Sequence, residues 1–451
     1  MPDPRELAER AVGHAGGSGL ALVTRERSLL LRFAANRPTQ STAIDDVTIE
    51  LAVVVDGHVG RASTNAADDD SLADCARRAR IAAVAAGAIE DGRFPGFPPP
   101  SAGRGHDGHD AATAALDPEV GGAAVGAAFA VAAEAGLDGH GIWTAAELER
   151  AAATSDGAVL DRTTDAYMKL ICIDPRTGRS GFDAQASVAA GRIEPAALAA
   201  RAAAKATARG APVELEPGEY PVVFESHAVG LLCDLLGATA LDGLAHVEGR
   251  GALAGRLGQL VAAPAINLSD SPRFPGTLPR AFDADGVAKE PLPLIQDGVA
   301  HRVVHDLRSA TVAGARTTGH ALAPGGSPYG PQPTNLVLAG GAADEAELCA
   351  GIERGVYITR LWYGNVVRAK ETLVTAVTRD GTFLIEDGRV AAPLRDLRLT
   401  DKVLGVLSRT QALTRDQRLT AEGEFYGRRF ASGVVCPALR AAAVRFTGAT
   451  G

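Results

Sequence analysis

The chain has 451 residues, 46% of them hydrophobic and 22% charged. That balance excludes a disordered chain and is long enough for two domains with buried cores. A formal net charge of −9, with no concentrated basic block, argues against sequence-independent binding to a phosphate backbone.

Five widely scattered cysteines without a CxxC pair read as reduced core thiols rather than a disulfide framework. The opening residues are acidic where a signal peptide needs basic ones. The most apolar stretch, Val120–Leu137, is built from Ala, Gly and Val and interrupted by Glu134, short of a membrane span. The expectation is a cytoplasmic protein with no membrane and no nucleic-acid partner.

In chain order, "PRELAERAVGHA" reads as an amphipathic helix. "GLALVTRERSLLLRFAANRP" reads as two strands. "VTIELAVVVDGHVGRASTN" follows, with Asp56-Gly57 as a hairpin turn. "SLADCARRARIAAVAAGAIE" returns to helix. Residues 93–110, rich in proline and glycine, form a loop. This loop holds His106, Asp107, His109 and Asp110, residue types able to bind a metal, although flexible His/Asp loops without one are commoner.

"GAVLDRTTDAYMKLICID" and "RSGFDAQASVA" read as strands, and "EPAALAARAAAKATARG" as a helix ended by Gly210. The spacing places a boundary there: an N-terminal α/β domain over 1–210 and a β-rich domain over 211–451. Beyond it, "EYPVVFES" is a strand and "HAVGLLCDLLGATAL" a buried helix. Many short strands follow, punctuated by Asp-Gly pairs at 297–298, 380–381 and 387–388. The fold class expected is α+β, with a barrel-like C-terminal domain.

"GVAHRVVHDLRSATVAGARTTGHA" carries His301 and His305 at a spacing attractive for a metal. On a helix they would lie ~6 Å apart. The Asp297-Gly298 turn places them on a strand, where their Cα atoms are roughly 13 Å apart, too far for one zinc with bonds of ~2 Å. The cleft candidates in this region are His305, Asp306, Thr317, Thr318 and His320, at a strand end and in a Gly/Thr-rich loop. The competing reading is that Thr317, Thr318 and His320 satisfy one another within the loop.

Taken in order, "VVVDGHVGRASTN", "LIQDGVAHRVVHDLRSA", "RTTGHA", "PTNLVLAGG", "GVYITRL" and "TRDGTFLIEDGRVAAPLRDLRLT" resemble the TldD/TldE (PmbA) family of peptidase subunits. The resemblance covers nearly the whole chain. It implies a heterodimer in which the TldD subunit holds zinc with an HExxxH helix and a later cysteine, and degrades or trims flexible peptides. On this chain, Asp234 stands at the first histidine of that motif, Leu235 at the glutamate and Thr239 at the second histidine. "VLGVLSRTQALTRDQRL" lacks a counterpart of the zinc cysteine.

A leucine accepts no proton, and Asp with Thr does not replace two imidazoles. The resemblance is therefore to the TldE type: no cofactor in this chain, zinc in a TldD-like partner, a peptide as substrate, and no catalytic residue assigned. A homodimer on the same surface is the alternative assembly, with Trp362 and Tyr363 as contact candidates. The alternative functions are a stand-alone hydrolase or peptide-modifying enzyme of natural-product biosynthesis, and a peptide-binding scaffold.

Overall fold

The computed structural model describes residues 2–87, 93–421 and 428–449. Helix α1 (Pro4–Ala15) starts on an Asp3 side chain that accepts the Arg5 and Glu6 N–H groups. Strands β1 (Gly19–Ala34), β2 (Arg37–Val55) and β3 (His58–Thr64) then form two hairpins. The turns, Ala35-Asn36 and Asp56-Gly57, have positive φ at both residues, the geometry that matches strand twist. Helix α2 (Asp69–Ala86) follows. The expected continuation to Glu90 falls partly outside the described residues. The loop from Arg93 to Asp110 holds no helix or strand.

Next come α3 (Ala111–Ala114), α4 (Pro118–Glu134), β4 (Asp138–Thr154), β5 (Gly157–Ile173), β6 (Ser180–Ser187) and α5 (Pro195–Ala206). Helix α5 ends at Thr207; Gly210, expected as the residue after its end, lies further on in a separate positive-φ position. The six strands form one sheet in the order β3-β2-β1-β4-β5-β6, antiparallel throughout.

Strand periodicity decides what each face of this sheet meets. Ala21 and Val23 of β1, with Ile49 and Leu51 of β2, pack under α1 and α2. Trp143 and Met168 pack under α4 and α5. The alternate residues Leu20, Leu22 and Ala152 face the other way, onto Ala281, Phe282 and Ala284 of the C-terminal half.

That half begins with β7 (Gly218–Phe224), α6 (Ser226–Ala240) and α7 (Gly243–Val247). Short strands β8 (Leu268–Asp270), β9 (Leu292–Gln296) and β10 (Val299–Ala300) precede α8 (Leu307–Ala313) and β11 (Asn335–Leu338). Strands β12 (Arg354–Arg368), β13 (Leu373–Glu386), β14 (Arg389–Pro393), β15 (Leu397–Lys402), β16 (Thr410–Thr420) and β17 (Gly433–Ala449) complete it. Strand β17 pairs with β15 and β7, β7 with β12, β12 with β13, and β13 with β15, closing a ring of five strands. The fold is α+β, with a partly closed sheet around α6.

Two local expectations change. Strand β10 is only two residues long, so His301 lies outside it and His305 ends an irregular stretch bridged once at Val304. Asp380-Gly381 is not a turn: it sits inside β13, where the β12 register shifts opposite it and Arg360 pairs with Asp380.

The two halves are clamped by charge. Arg429, 3% exposed in its side chain, pairs with the equally buried Asp165 of β5 and donates to Thr144. We expect Arg429→Ala to cost about 3 kcal/mol, because it leaves a buried carboxylate uncompensated. An R429M/D165L double variant should lose less. Denaturant unfolding of the three proteins checks this, and equal losses would contradict it.

Candidate functional site

Helix α6 follows β7 directly, and Leu232, Cys233, Leu236 and Ala240 bury it in the C-terminal core. Its approach to β16 is too close for any side chain at Gly230, where a Cβ would stand 2.1 Å from Thr420 Oγ1. The three positions singled out in sequence diverge. Asp234 is exposed and lines a small recess with His227, Tyr167, Lys169, Phe182 and Arg360. Leu235 is half-buried and packs with Leu231 on β12 at Gly364. Thr239 is buried and donates its hydroxyl to Leu235 O at 2.7 Å. Residues five apart on an ideal helix are rotated by roughly 140°, so one faces the recess and the other the core.

These residues do not fit zinc. Neither do the nearby thiols: Cys233 and Cys436 are fully buried, burial pushes both well above the usual thiol range, and Cys436 donates to Ser226 O at 3.2 Å. Among the described residues, no three His, Cys, Asp or Glu side chains form a ligand group.

What stands beside α6 is an ion-pair cluster. His227 reaches Asp183 Oδ1 of β6 at 3.3 Å and meets Phe182 edge-on at 5.1 Å. Arg201 of α5 pairs with the other oxygen, and Arg418 of β16 lies 3.5 Å away. Burial alone would raise the Asp183 pKa; the hydrogen bond and charge of His227, with Arg418 and Lys205, outweigh it and hold the carboxyl well below its ordinary value. Lys205 in turn pairs with Glu225, the residue that precedes α6, at 2.8 Å. The sequence reading did not find Asp183, Arg201 or Arg418, which lie on three separate elements.

The cluster borders a cleft of about 990 Å³ between the two halves. Its walls are β6 from Ala184, β16 at Gln417–Leu419, the His106–Asp110 loop and residues 273–277. Among the described residues, β6 pairs only with β5, and β16 pairs with β17 and is bridged on its other edge at Thr414 to Ala343, so β6 and the Gln417–Leu419 stretch of β16 present outer edges. The loop histidines are committed elsewhere: His106 Nε2 lies 2.9 Å from Asp161, His109 Nε2 3.0 Å from Glu147, and Asp110 caps α3. They do not converge with Asp107 on one point.

The other candidates do come together. Thr318 Oγ1 accepts the His305 N–H at 2.7 Å and lies 2.9 Å from His320 Nδ1. Thr317 donates to His305 O at 3.1 Å. His320 Nε2 is 3.2 Å from Asp270 Oδ1, which Lys289 Nζ shares at 3.1 Å. Asp306 caps α8 by accepting the Ser309 N–H at 2.7 Å. Burial pushes the His305 and His320 pKa values down. Asp270, His320 and Thr318 thus lie in the order of a carboxylate–imidazole–hydroxyl relay, but Asp270 Oδ1 and His320 Nε2 are not aligned in a hydrogen bond, Lys289 competes for the carboxylate and the His305 backbone occupies the hydroxyl.

Comparison with known proteins places this geometry. The model of the PmbA/TldA metallopeptidase C-terminal domain matches residues 217–448, and that of domain 1 matches residues 21–83. The chain belongs to the TldD/TldE (PmbA) metallopeptidase family. A metalloprotease of Methanothermobacter thermautotrophicus is 27% identical over 206 residues, 45% of this chain and 44% of that protein. The TldD homolog of Haemophilus influenzae is 24% identical over 238 residues, 51% of this chain and 48% of its own length. The match thus spans less than half of each curated relative. Over 98% of this chain and 99% of theirs, the fold is that of Thermococcus kodakarensis TldE (TM-score 0.84, 20% identity) and of a Thermotoga maritima protein described as a putative modulator of a DNA gyrase (TM-score 0.82, 19% identity). Among the described residues, no helix of this family member is long and apolar enough to cross a membrane.

A pH dependence follows from Asp183. Its folded-state pKa lies below the ordinary 3.8, so it contributes stability above that pH, lost as pH falls toward the depressed value. We expect Asp183→Asn to be less stable at pH 7 and to lose part of the wild type's decline below pH 3.8. Urea midpoints from pH 2 to 7 check this; parallel curves would contradict it.

Proposed function

We propose that this chain is the metal-free, TldE-type subunit of a zinc metallopeptidase that hydrolyses flexible peptides in the cytoplasm, with zinc carried by a TldD-like partner. What supports the reading is α6, where the resemblance sets Asp234, Leu235 and Thr239 at the places of the family's ligands and base, and where these are exposed, half-buried and buried in turn. A hydrocarbon at Leu235 cannot take a proton from a metal-bound water.

The cleft supports a peptide as the substrate. An extended peptide satisfies its backbone by adding to a strand edge, and β6 and β16 each offer one along this cleft. Partner contact is supported by the far end of β12, where Tyr363 is 72% exposed and Val366 and Val367 are 42% and 51% exposed. Trp362, by contrast, lies under the Arg360 guanidinium at 5.0 Å.

A stand-alone hydrolase centred on His305, Thr318 and His320 has one observation in its favour, the Asp270–His320–Thr318 order. It needs His320→Ala to abolish an activity of the isolated chain while the fold survives.

Turnover of an unstructured peptide separates the readings. The chain alone should give none; co-purified with a TldD-like partner it should give turnover that a zinc chelator removes. An isolated chain cleaving at the rate of the pair, with or without chelator, would overturn the subunit reading.

A further inference from the structure

The segment from Gly298 to Ala321 does build a site, though not for a metal. A second cavity of about 870 Å³ opens beside α7 and α8 and shares no lining residue with the cleft or the α6 recess. Its size suits a small organic ligand.

His305 lines it and is only 9% exposed. Its ring is pressed against α7, where a Cβ on Gly243 would lie 2.4 Å from Nδ1. Nδ1 is 3.2 Å from Ser309 Oγ, which already accepts the Asp306 N–H. The Ser309 hydroxyl can accept from or donate to Nδ1, so an anion beside Nε2 selects the tautomer that carries the ring proton there. Among the described residues Nε2 makes no hydrogen bond or ion pair and is free to meet a ligand. His246 lines the same cavity, and its Nδ1 is buried and unpaired. Buried polar atoms without partners are costly unless something meets them.

Charge defines what that is. Arg302 and Arg316 line the cavity, are exposed, and make no ion pair among the described residues. The one acidic lining residue, Glu290, lies 3.7 Å from Arg273. With Glu290 beside Arg273, the two unpaired guanidinium groups suit an anion. Apart from His301, Thr317 and Thr318 the remaining wall is apolar, and Leu257 and Val312 stand 41% and 49% exposed there. A bare phosphate would leave that wall in water.

We propose that this cavity binds a carboxylate carried on an apolar body, with Arg302 and Arg316 meeting the charge, His305 donating from Nε2, and Leu257 and Val312 covering the hydrocarbon. Two sources share this chemistry, the C-terminal end of an apolar peptide and a free aliphatic acid.

Titration calorimetry on the full chain decides it, with four probes: octanoate, an apolar tetrapeptide with a free C-terminus, its C-terminal amide, and inorganic phosphate. One or both acids should bind with Kd below about 1 mM, and the amide and phosphate at least about tenfold more weakly. Binding of the free-acid tetrapeptide alone assigns a chain end, of octanoate alone a free acid, and of both the carboxylate with any apolar body. The R302Q/R316Q double variant should lose about tenfold or more, and Val312→Trp, which fills the cavity from an exposed position, should abolish binding. No binding of either acid, equal affinity for the amide, or binding unchanged in both variants would overturn the proposal.

Discussion

Backbone N–H groups buried outside helices and sheets must find acceptors, and between β8 and β11 buried aspartates serve beside the backbone carbonyls. Asp270 takes the N–H groups of Thr334 and Asn335, Asp283 those of Asp285, Val287 and Ala321, and Asp285 that of Gly325. Asp161 reaches across from β5 to take Ala281. Without these carboxylates a long, irregular, buried segment would have no fixed path. With them it covers the outer face of the N-terminal sheet and carries His305, Thr318 and His320 to defined places. The cost is visible in Asp283 and Asp285, whose burial pushes their pKa values up, to about 6 for Asp283.

The same principle of charge held by charge shapes the region around α6. In place of ligands aimed at one ion, the described residues form a chain of pairs, Arg201 and His227 on Asp183, Lys205 on Glu225 and Arg360 on Asp380. These pairs join β6, α5, the start of α6, β12 and β13, and Arg201 among them lines the cleft. They hold the surroundings of α6 in a fixed shape by side-chain pairing.

Much of the fold was legible because its cues are local. The Asp3 cap with apolar spacing marked α1, and Asp-Gly turns marked the hairpins at 56–57, 297–298 and 387–388. Strand β4 was not legible: "TAAELERAAAT" has the composition of a helix, and only pairing along its length with β1 and β5 holds it extended. Asp380-Gly381 misled for a similar reason, since the Arg360 partner that holds it within β13 is twenty residues away. Of the candidate site, the missing HExxxH could be read directly. The Asp183 cluster could not, because its members lie on β6, α5, α6 and β16 and meet only in the folded chain. One unused signal was present. Asp161, Thr163, Asp165, Tyr167 and Lys169 occupy alternate positions of β5, a polar stripe on a strand whose other face is apolar from Ala166 onward, and that stripe addresses the C-terminal half.

On the proposed function, this chain supports peptide hydrolysis without holding the metal. Native mass spectrometry of the assembled complex, followed by dissociation into subunits, tests it most directly. Zinc should stay with the TldD-like partner, with none on this chain. One zinc travelling with this chain would contradict it, and would mean that side chains around α6 or the His106–Asp110 loop rearrange into a ligand set.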